Sequence, residues 1–290
     1  MLNTMNDTYC IYLNEMIEFK DSNLEHIFPL SLGGCNEFVI RVDINKNSIL
    51  GSQIDGKMSN DFLISGIRRH KDLRGHSGEI PKTVLKKSKL TTTNRPIQLV
   101  FEGKKSHFFD PIDKRVLTEK ESIGQSINST FKMDMNLRLQ FVAKVLLASG
   151  YFIYKETFIK YADHESLRRF MNLNITETKE SISRLSLKVI DIFHEIPEES
   201  KGLTGIFKNL CKVIDGSCVM FLLSTENIIG SVGIAGEYMG TINFKADTKM
   251  FPNDNGFRLG HVIGIQDNQL RRNSFYDMTA KLHELMKKNK

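Results

Sequence analysis

An acid and a histidine stand side by side at Glu25 and His26, and two asparagines follow at Asn36 and Asn47. Metal-assisted hydrolysis requires a base that takes a proton from water and a cation that holds the group under attack and the leaving oxygen. Histidine is the side chain that can act as this base near neutral pH. Mg²⁺ prefers oxygen ligands and keeps several waters, so one carboxylate and one amide oxygen suffice as its protein ligands. The four residues therefore suit metal-assisted hydrolysis.

The elements that would position these residues are a hairpin and a helix. Glu25 and His26 begin a strand or loop that runs to a proline, and the pair Gly33-Gly34 predicts a tight turn. The apolar run at 38–40 predicts a second strand, and the spacing over residues 47–55 predicts a helix. The polar groups then lie where the strands and the helix meet.

The order of these features resembles the HNH (ββα-metal) nucleases, in which a hairpin and a helix close around one divalent cation. The match consists of the string EHIFPLSLGG, then Asn36, then an N-x-x-x-G-x-x-x-D pattern at Asn47, Gly51 and Asp55. The resemblance implies that His26 is the general base and that Asn36 orients its imidazole ring. It also implies that Glu25 and Asn47 contact the cofactor, Mg²⁺ or Mn²⁺.

The same residues have structural explanations as well. Gly-Gly pairs mark turns in many proteins, and asparagine favours loops and helix caps, so Asn47 alone would predict only an N-cap. If the alignment with the family is shifted by one turn, Asn45 and Asp55 become the metal-ligand candidates. Two alternatives to a DNA nuclease thus stay open: a catalytically silent DNA-binding protein that retains the HNH fold, and an RNA nuclease.

Many HNH proteins carry a zinc knuckle beside the core, formed by one Cys-x-x-Cys pair before the Glu-His and another ahead of the last asparagine. Here these positions hold Cys10 and Leu13, then Asp43 and Lys46. Only Cys10 fits the pattern and Cys35 lies elsewhere, so four thiolate ligands cannot be assembled. We therefore expect no structural zinc, with apolar packing in place of the metal.

Positive charge is concentrated directly after this module, in residues 67–90. The cations far outnumber the two acids there; they are Arg68, Arg69, Lys71, Arg74, Lys82, Lys86, Lys87 and Lys89. Glycines and a proline within the stretch predict turns, so we expect a loop and not a continuous basic helix. A solvated connector and a phosphate-contacting arm both fit such a loop. Its position after the motif favours contact with DNA. The candidate DNA-binding residues are Arg68, Arg69, Lys71 and Arg74.

Composition limits the remaining possibilities. The 290 residues are 40% hydrophobic and 26% charged, as in a soluble globular protein, and the net charge of +6 mildly favours an anionic partner. The four cysteines have no framework spacing, so we expect them to be reduced and buried. No uninterrupted apolar run approaches membrane-spanning length, and the N-terminus lacks the features of a signal peptide. We expect a cytoplasmic protein without a membrane partner.

The remainder of the chain predicts a larger α+β domain with an antiparallel sheet. Helices are predicted at 58–67, at 135–149 with Gly150 as the C-cap, at 164–171, at 203–214 and at 273–288. Strands are predicted at 97–101, 185–193, 218–223, 228–234, 238–244 and 259–265, the last five as a meander. The fold class is thus α+β, with an N-terminal ββα-metal (HNH) module at 1–80 and a C-terminal α+β domain at 81–290.

From this we expect a metal-dependent endonuclease that hydrolyses phosphodiester bonds in DNA, as in restriction or phage defence. The C-terminal domain would recognise a protein partner, a nucleic-acid structure or a regulatory ligand. His261 and His283 have no acidic or thiol neighbours at ligand spacing, so we expect structural roles for both.

Overall fold

Two short hairpins and a helix interrupted by a π-helical turn form the N-terminal part of the chain. The computed structural model describes residues 7–103, 105–173, 185–191 and 193–288. The antiparallel hairpins are β1 (Asp7–Cys10) with β2 (Glu15–Glu18) and β3 (Ser22–His26) with β4 (Val39–Asp43). The helix comprises α1 (Ile44–Leu50), a π-helical turn (Gly51–Asp55) and α2 (Gly56–Ser59). A hairpin followed by a helix is the order that the sequence predicts, and the HNH assignment of this module stays a prediction.

The basic stretch after this module is not the predicted loop. It begins within a helix, α3 (Phe62–Lys71), whose N-terminus is capped by Asp61 through its Oδ1 atom. It ends within a strand, β5 (Thr83–Leu90), in which Leu85, Ser88 and Leu90 are buried between exposed lysines. Only the segment between them lacks a helix or strand. The Asp61 cap stabilises the start of α3, and the burial of Leu85, Ser88 and Leu90 stabilises β5. Both elements therefore extend into the stretch that the glycines and the proline predict to be a loop.

A five-stranded antiparallel sheet follows, in the spatial order β8-β7-β6-β5-β9. Beside β5 it contains β6 (Pro96–Glu102), β7 (Lys105–Asp110), β8 (Arg115–Val116) and β9 (Ile127–Ser129), with a short helix α4 (Glu119–Ser122). Of these strands the sequence predicts only β6. The sheet is attached to α3 by aromatic contacts, because the Phe62 ring lies 6.1 Å from Phe101 and 4.7 Å from Phe131.

A second antiparallel sheet of six strands carries the C-terminal half, in the order β10-β13-β12-β11-β14-β15. Its strands are β10 (Leu187–Ile190), β11 (Ser217–Leu223), β12 (Asn227–Ile234), β13 (Glu237–Lys245), β14 (Gly260–Gln266) and β15 (Gln269–Ser274). Five of these strands are predicted, but only β11, β12 and β13 form a meander. β14 instead pairs with β11, and the edge strand β15 is not predicted.

Helices of 6 to 20 residues cover this sheet. They are α5 (Met135–Tyr154), α6 (Glu156–Tyr161), α7 (His164–Met171), α8 (Glu198–Ile214) and α9 (Phe275–Lys288). The bounds of α7 are those that the sequence predicts. α5 is long and apolar enough to cross a membrane by length and composition alone, yet 72% of that window is buried inside the protein. Such burial is typical of the central helix of a globular core.

One hydrophobic core joins the two predicted domains. Buried side chains of the N-terminal module, such as Phe28 and Phe38, belong to the same cluster as Phe141 of α5 and Val219 of the large sheet. The Phe28 and Phe141 rings lie 6.3 Å apart. α5 thus lies between the module and the six-stranded sheet. The α+β class and the antiparallel sheets are confirmed, and the core is continuous across residue 80.

Candidate active site

His26 and Asn36 face each other across the turn that joins β3 to β4. The Nε2 atom of His26 lies 2.9 Å from Oδ1 of Asn36. Because an amide oxygen only accepts hydrogen bonds, Nε2 is the donor, and in the neutral ring the lone pair is then on Nδ1. The turn is tight: a Cβ atom on Gly34 would lie 1.8 Å from the carbonyl oxygen of Phe28. The glycine therefore lets the chain return and place Asn36 beside the ring.

A second histidine lies next to this pair. The rings of His26 and His76 are 6.0 Å apart between centroids, with one edge toward the other face. His76 comes from the segment between α3 and β5, and the sequence gives no spacing signal that links it to His26. Asn36 and Arg74 also line an open cleft of about 530 Å³ between the hairpin turn and the six-stranded sheet. Asn36, the partner of His26, therefore stands at the edge of a cleft that Lys71 and Arg74 also line.

The side chain of Glu25 lies on the opposite face of β3 from that of His26. Successive side chains of a strand point to opposite faces, so Glu25 enters the core while its neighbour His26 stays partly exposed. Its Oε1 atom lies 2.5 Å from the Nζ atom of Lys144 on α5, and Oδ2 of Asp55 lies 2.5 Å from the same nitrogen. Lys144 is 0% exposed, and Glu25 and Asp55 are each 8% exposed. The three side chains form a buried cluster of two carboxylates around one ammonium.

Burial and mutual attraction have opposite effects on the pKa values in this cluster. Burial raises the pKa of Asp55 to about 6, against the opposing pull of Lys144. For Lys144, burial alone would lower the pKa, but the charges of Asp55 and Glu25 outweigh it and leave the pKa above its usual value. The ammonium is therefore held in its charged form by its two partners. The sequence contains one signal for it, since Lys144 is the lone charged residue within the apolar run 141–148.

The second candidate metal ligand, Asn47, lies on the same side of the hairpin as Glu25. Its Nδ2 atom donates to Oδ1 of Asn23 at 2.9 Å, and Asn23 stands two residues before Glu25 on β3. A Mg²⁺ ion bonded to Glu25 would stand beside the Lys144 ammonium, which already compensates the charge of this carboxylate. In this arrangement Glu25 and Asn47 therefore do not fit the ion that the resemblance implies.

Asn45 and Asp55, the metal-ligand candidates under a shifted alignment, have different surroundings. Asn45 is exposed at the start of α1, whereas Asp55 is buried in the cluster with Lys144. Among the described residues, no three His, Cys, Asp or Glu side chains converge into a group that could hold a metal. A Mg²⁺ site with two protein ligands would not form such a group.

The four positions that correspond to the zinc knuckle lie close together, but their side chains do not form a set of zinc ligands. The backbone N–H of Asp43 donates to the sulfur of Cys10 at 3.4 Å, and the Asp43 carboxylate accepts from the N–H of Lys46 at 2.7 Å. The Lys46 ammonium in turn donates to Asn172 at 2.6 Å. All four cysteines of the chain are free and buried, as predicted.

The four predicted DNA-binding residues have separate surroundings. Arg68 is 3% exposed and donates to the carbonyl oxygen of Ser59, so it does not face solvent. Arg69 lies over the Phe101 ring at 4.6 Å. Lys71 pairs with Asp215 at 2.6 Å, and Arg74 pairs with Asp72 at 3.0 Å. Of the four, Arg74 is the most exposed, and it lines the cleft beside Asn36.

A different basic surface stands on the five-stranded sheet. Lys86, Lys87 and Lys89 are exposed on β5 and line a groove of about 610 Å³, together with Asn128 and Ser129 of β9. A register shift between Leu85 and Ser88 exposes two consecutive lysines at this point. Residues 82–132 contain eleven Lys and Arg against five Asp and Glu. The acids pair mostly with other cations, such as Arg95 and Arg115, which leaves the groove lysines available.

Comparison with protein-family models, with curated proteins and with solved structures gives no match for this chain.

Proposed function

We propose that the chain is an HNH-type nuclease that hydrolyses phosphodiester bonds in DNA. The observation that carries the proposal is the 2.9 Å hydrogen bond between His26 and Asn36, on a hairpin followed by a helix. The resemblance assigns the roles of base and orienting group to these two residues from the sequence alone. Their pairing across 10 residues is what that assignment requires.

In the proposed reaction His26 takes the proton from the attacking water. With Nε2 bonded to Asn36, the lone pair on Nδ1 is the basic position, and the ring cannot rotate without losing its hydrogen bond. Asn36 therefore acts as a positioning residue. His76 stands close enough to bind a phosphate or to exchange a proton with the site through water.

In this proposal, exposed cations contact the DNA backbone. Arg74 faces the cleft beside Asn36, and the groove lysines of β5 form an exposed positive surface on the five-stranded sheet. Backbone phosphates supply most of the affinity of nucleic-acid binding without regard to sequence. Lys86, Lys87 and Lys89 thus join Arg74 in the role that the sequence gives to Arg68, Arg69, Lys71 and Arg74.

A catalytically silent DNA-binding protein is the second candidate, and one observation favours it. Glu25, the carboxylate expected to bind the metal, is paired with Lys144 inside the core. A module that keeps the fold and the basic groove but not a free metal ligand would bind DNA without cutting it.

A cleavage and binding assay with supercoiled plasmid and the purified protein distinguishes the two candidate functions. Cleavage in Mg²⁺ or Mn²⁺ that stops with EDTA, and that falls on the order of 10²–10⁴-fold in His26→Ala, supports the nuclease. His283→Ala is the matched control, because His283 is exposed on α9, far along the chain from the hairpin. Binding to the plasmid without cleavage supports the silent protein. Neither binding nor cleavage, with single-stranded DNA and RNA tested in parallel, rejects both.

A further inference from the structure

A buried lysine lies between two carboxylates where α5 meets the N-terminal module. The Nζ atom of Lys144 is 2.5 Å from Glu25 Oε1 and 2.5 Å from Asp55 Oδ2. Carboxylate oxygens lie about 2.0–2.1 Å from a bound Mg²⁺ and about 2.3–2.6 Å from a bound Ca²⁺. The ammonium nitrogen therefore lies between the two carboxylates, where a divalent cation shared by them would also lie.

Two further oxygens in this pocket have no hydrogen-bond partner. Oδ1 of Asp55 and the hydroxyl of Tyr12 are both buried and unpaired. Tyr12 is 1% exposed and lies close enough to Glu25 and Asp55 to feel both charges. An ammonium has three donors, whereas hard divalent cations take six or more oxygen ligands. The pocket thus offers more oxygens than Lys144 satisfies.

A second buried ion pair on the same helix shows what a purely structural contact looks like here. Arg138 donates to Asp61 at 2.5 Å, and both side chains are almost fully buried. This pair joins α5 to the start of α3 with one carboxylate, which also caps α3 through Leu63 and Ile64. Of the two buried pairs on α5, it is the Lys144 cluster that combines two carboxylates with unpaired oxygens.

We propose that the Lys144 ammonium is the resident cation of a metal site formed by Glu25 and Asp55, and that it keeps divalent metal from Glu25 in the free protein. Lys144 then explains how the module stays folded without a metal beside its hairpin. Removing the ammonium leaves the two carboxylates as ligands for Mn²⁺ or Ca²⁺. The site belongs to the free protein, so metal binding there does not depend on whether the chain cleaves DNA.

The test is metal binding without nucleic acid, measured by electron paramagnetic resonance with Mn²⁺ and by calorimetry with Ca²⁺. Lys144→Met keeps most of the apolar stem and removes the charge. We expect it to bind one metal per chain on the order of tenfold or more tightly than the natural protein, because the repulsion of a nearby positive charge is gone. Adding Glu25→Gln should abolish this gain. Arg138→Met is the matched control and should gain no site.

Several results would overturn the proposal. One is that the natural protein binds the metal as tightly as Lys144→Met does. Another is that Arg138→Met gains the same metal affinity. The third is that Lys144→Met folds but binds no metal. If Lys144→Met is unfolded without metal, circular dichroism during refolding with Mn²⁺ or Ca²⁺ decides. Recovery of the native spectrum only with the cation supports the metal site, since a ligand of the folded state stabilises it. No recovery with either cation shows that Lys144 serves the fold alone.

Discussion

The imidazole of His26 is held by Asn36 through a 2.9 Å hydrogen bond that spans the β3–β4 turn. Asn36→Ala removes the acceptor and frees the ring, so we expect the cleavage rate to fall by about 10-fold or more while DNA affinity is kept. Asn36→Asp keeps an acceptor at the same position and should restore most of the rate. Its carboxylate should also shift the acidic limb of the pH–rate profile upward, since a nearby negative charge favours the protonated imidazole.

Single-turnover rates over a range of pH, beside anisotropy with labelled duplex, measure both effects. A purely structural Asn36 would lower stability without moving the pH profile. An Asn36→Ala protein with the natural rate and profile would contradict the orienting role.

The lysine groove on β5 gives a prediction for binding. Changing Lys86, Lys87 and Lys89 together to alanine should weaken DNA binding with little regard to sequence. The slope of log affinity against log salt should fall by about one for each phosphate that the variant no longer neutralises. The control changes Lys281, Lys287 and Lys288 on α9, which removes the same charge from another surface. Equal losses of affinity in the two triple variants would show only an effect of net charge.

Sequence and structure agree best where burial is periodic. The strands β11 to β14 are apolar runs separated by polar turns, and α7 has strong helical spacing, so both are predicted nearly to the residue. The five-stranded sheet is missed because its strands are half exposed. β5 alternates buried Leu85 and Leu90 with lysines, a pattern that resembles a basic loop. The resemblance predicts the His26–Asn36 contact, but not Lys144, which lies 119 residues beyond its partner Glu25.

Gly150 shows why a local signal can mislead. It predicts the end of a helix, yet α5 continues to Tyr154. A Cβ atom at Gly150 would lie 2.4 Å from the Phe158 ring, so the glycine permits the close approach of that ring. Gly150→Ala should therefore lower the free energy of unfolding by about 1–3 kcal/mol in denaturant titrations. Gly205→Ala in α8, where a Cβ meets nothing within 4 Å, should instead raise it by about 0.5–1 kcal/mol.

Stability should fall at acid pH through His164. Its Nε2 donates to the Ile159 carbonyl at 3.1 Å and its Nδ1 accepts from Arg168 at 2.9 Å, which fits a neutral ring. Burial, with the charge of Arg168, lowers the pKa of His164 below 6.5. The unfolded chain therefore takes up a proton first as pH falls, so the contribution is complete above about pH 6.5 and is lost below it.

His164→Gln should flatten this part of the stability–pH curve, measured by urea titration between pH 8 and pH 5. His283→Gln is the control, because His283 is exposed on α9. A variant at His164 that keeps the natural pH dependence would place the acid-sensitive group elsewhere.

The N-terminal segment should need no zinc, because packing and hydrogen bonds hold it. Cys10 and Ile11 are 0% exposed, Arg168 donates to the Ile11 carbonyl at 3.0 Å, and Asp43 donates its N–H to the Cys10 sulfur. A structural zinc site requires four ligands in a tetrahedral array. The knuckle positions supply one thiol, while Leu13 cannot ligate and Lys46 would first have to lose its proton.

Elemental analysis of the purified protein should therefore find less than one zinc per chain, and EDTA should leave the melting temperature unchanged. Ile11→Ala should lower the free energy of unfolding by about 2–5 kcal/mol, because it opens a cavity where the segment meets the core. One zinc per chain, or a melting temperature that collapses on chelation, would mean that the ligands lie outside these four positions. An Ile11→Ala protein as stable as the natural one would show that the segment is held by something other than its packing.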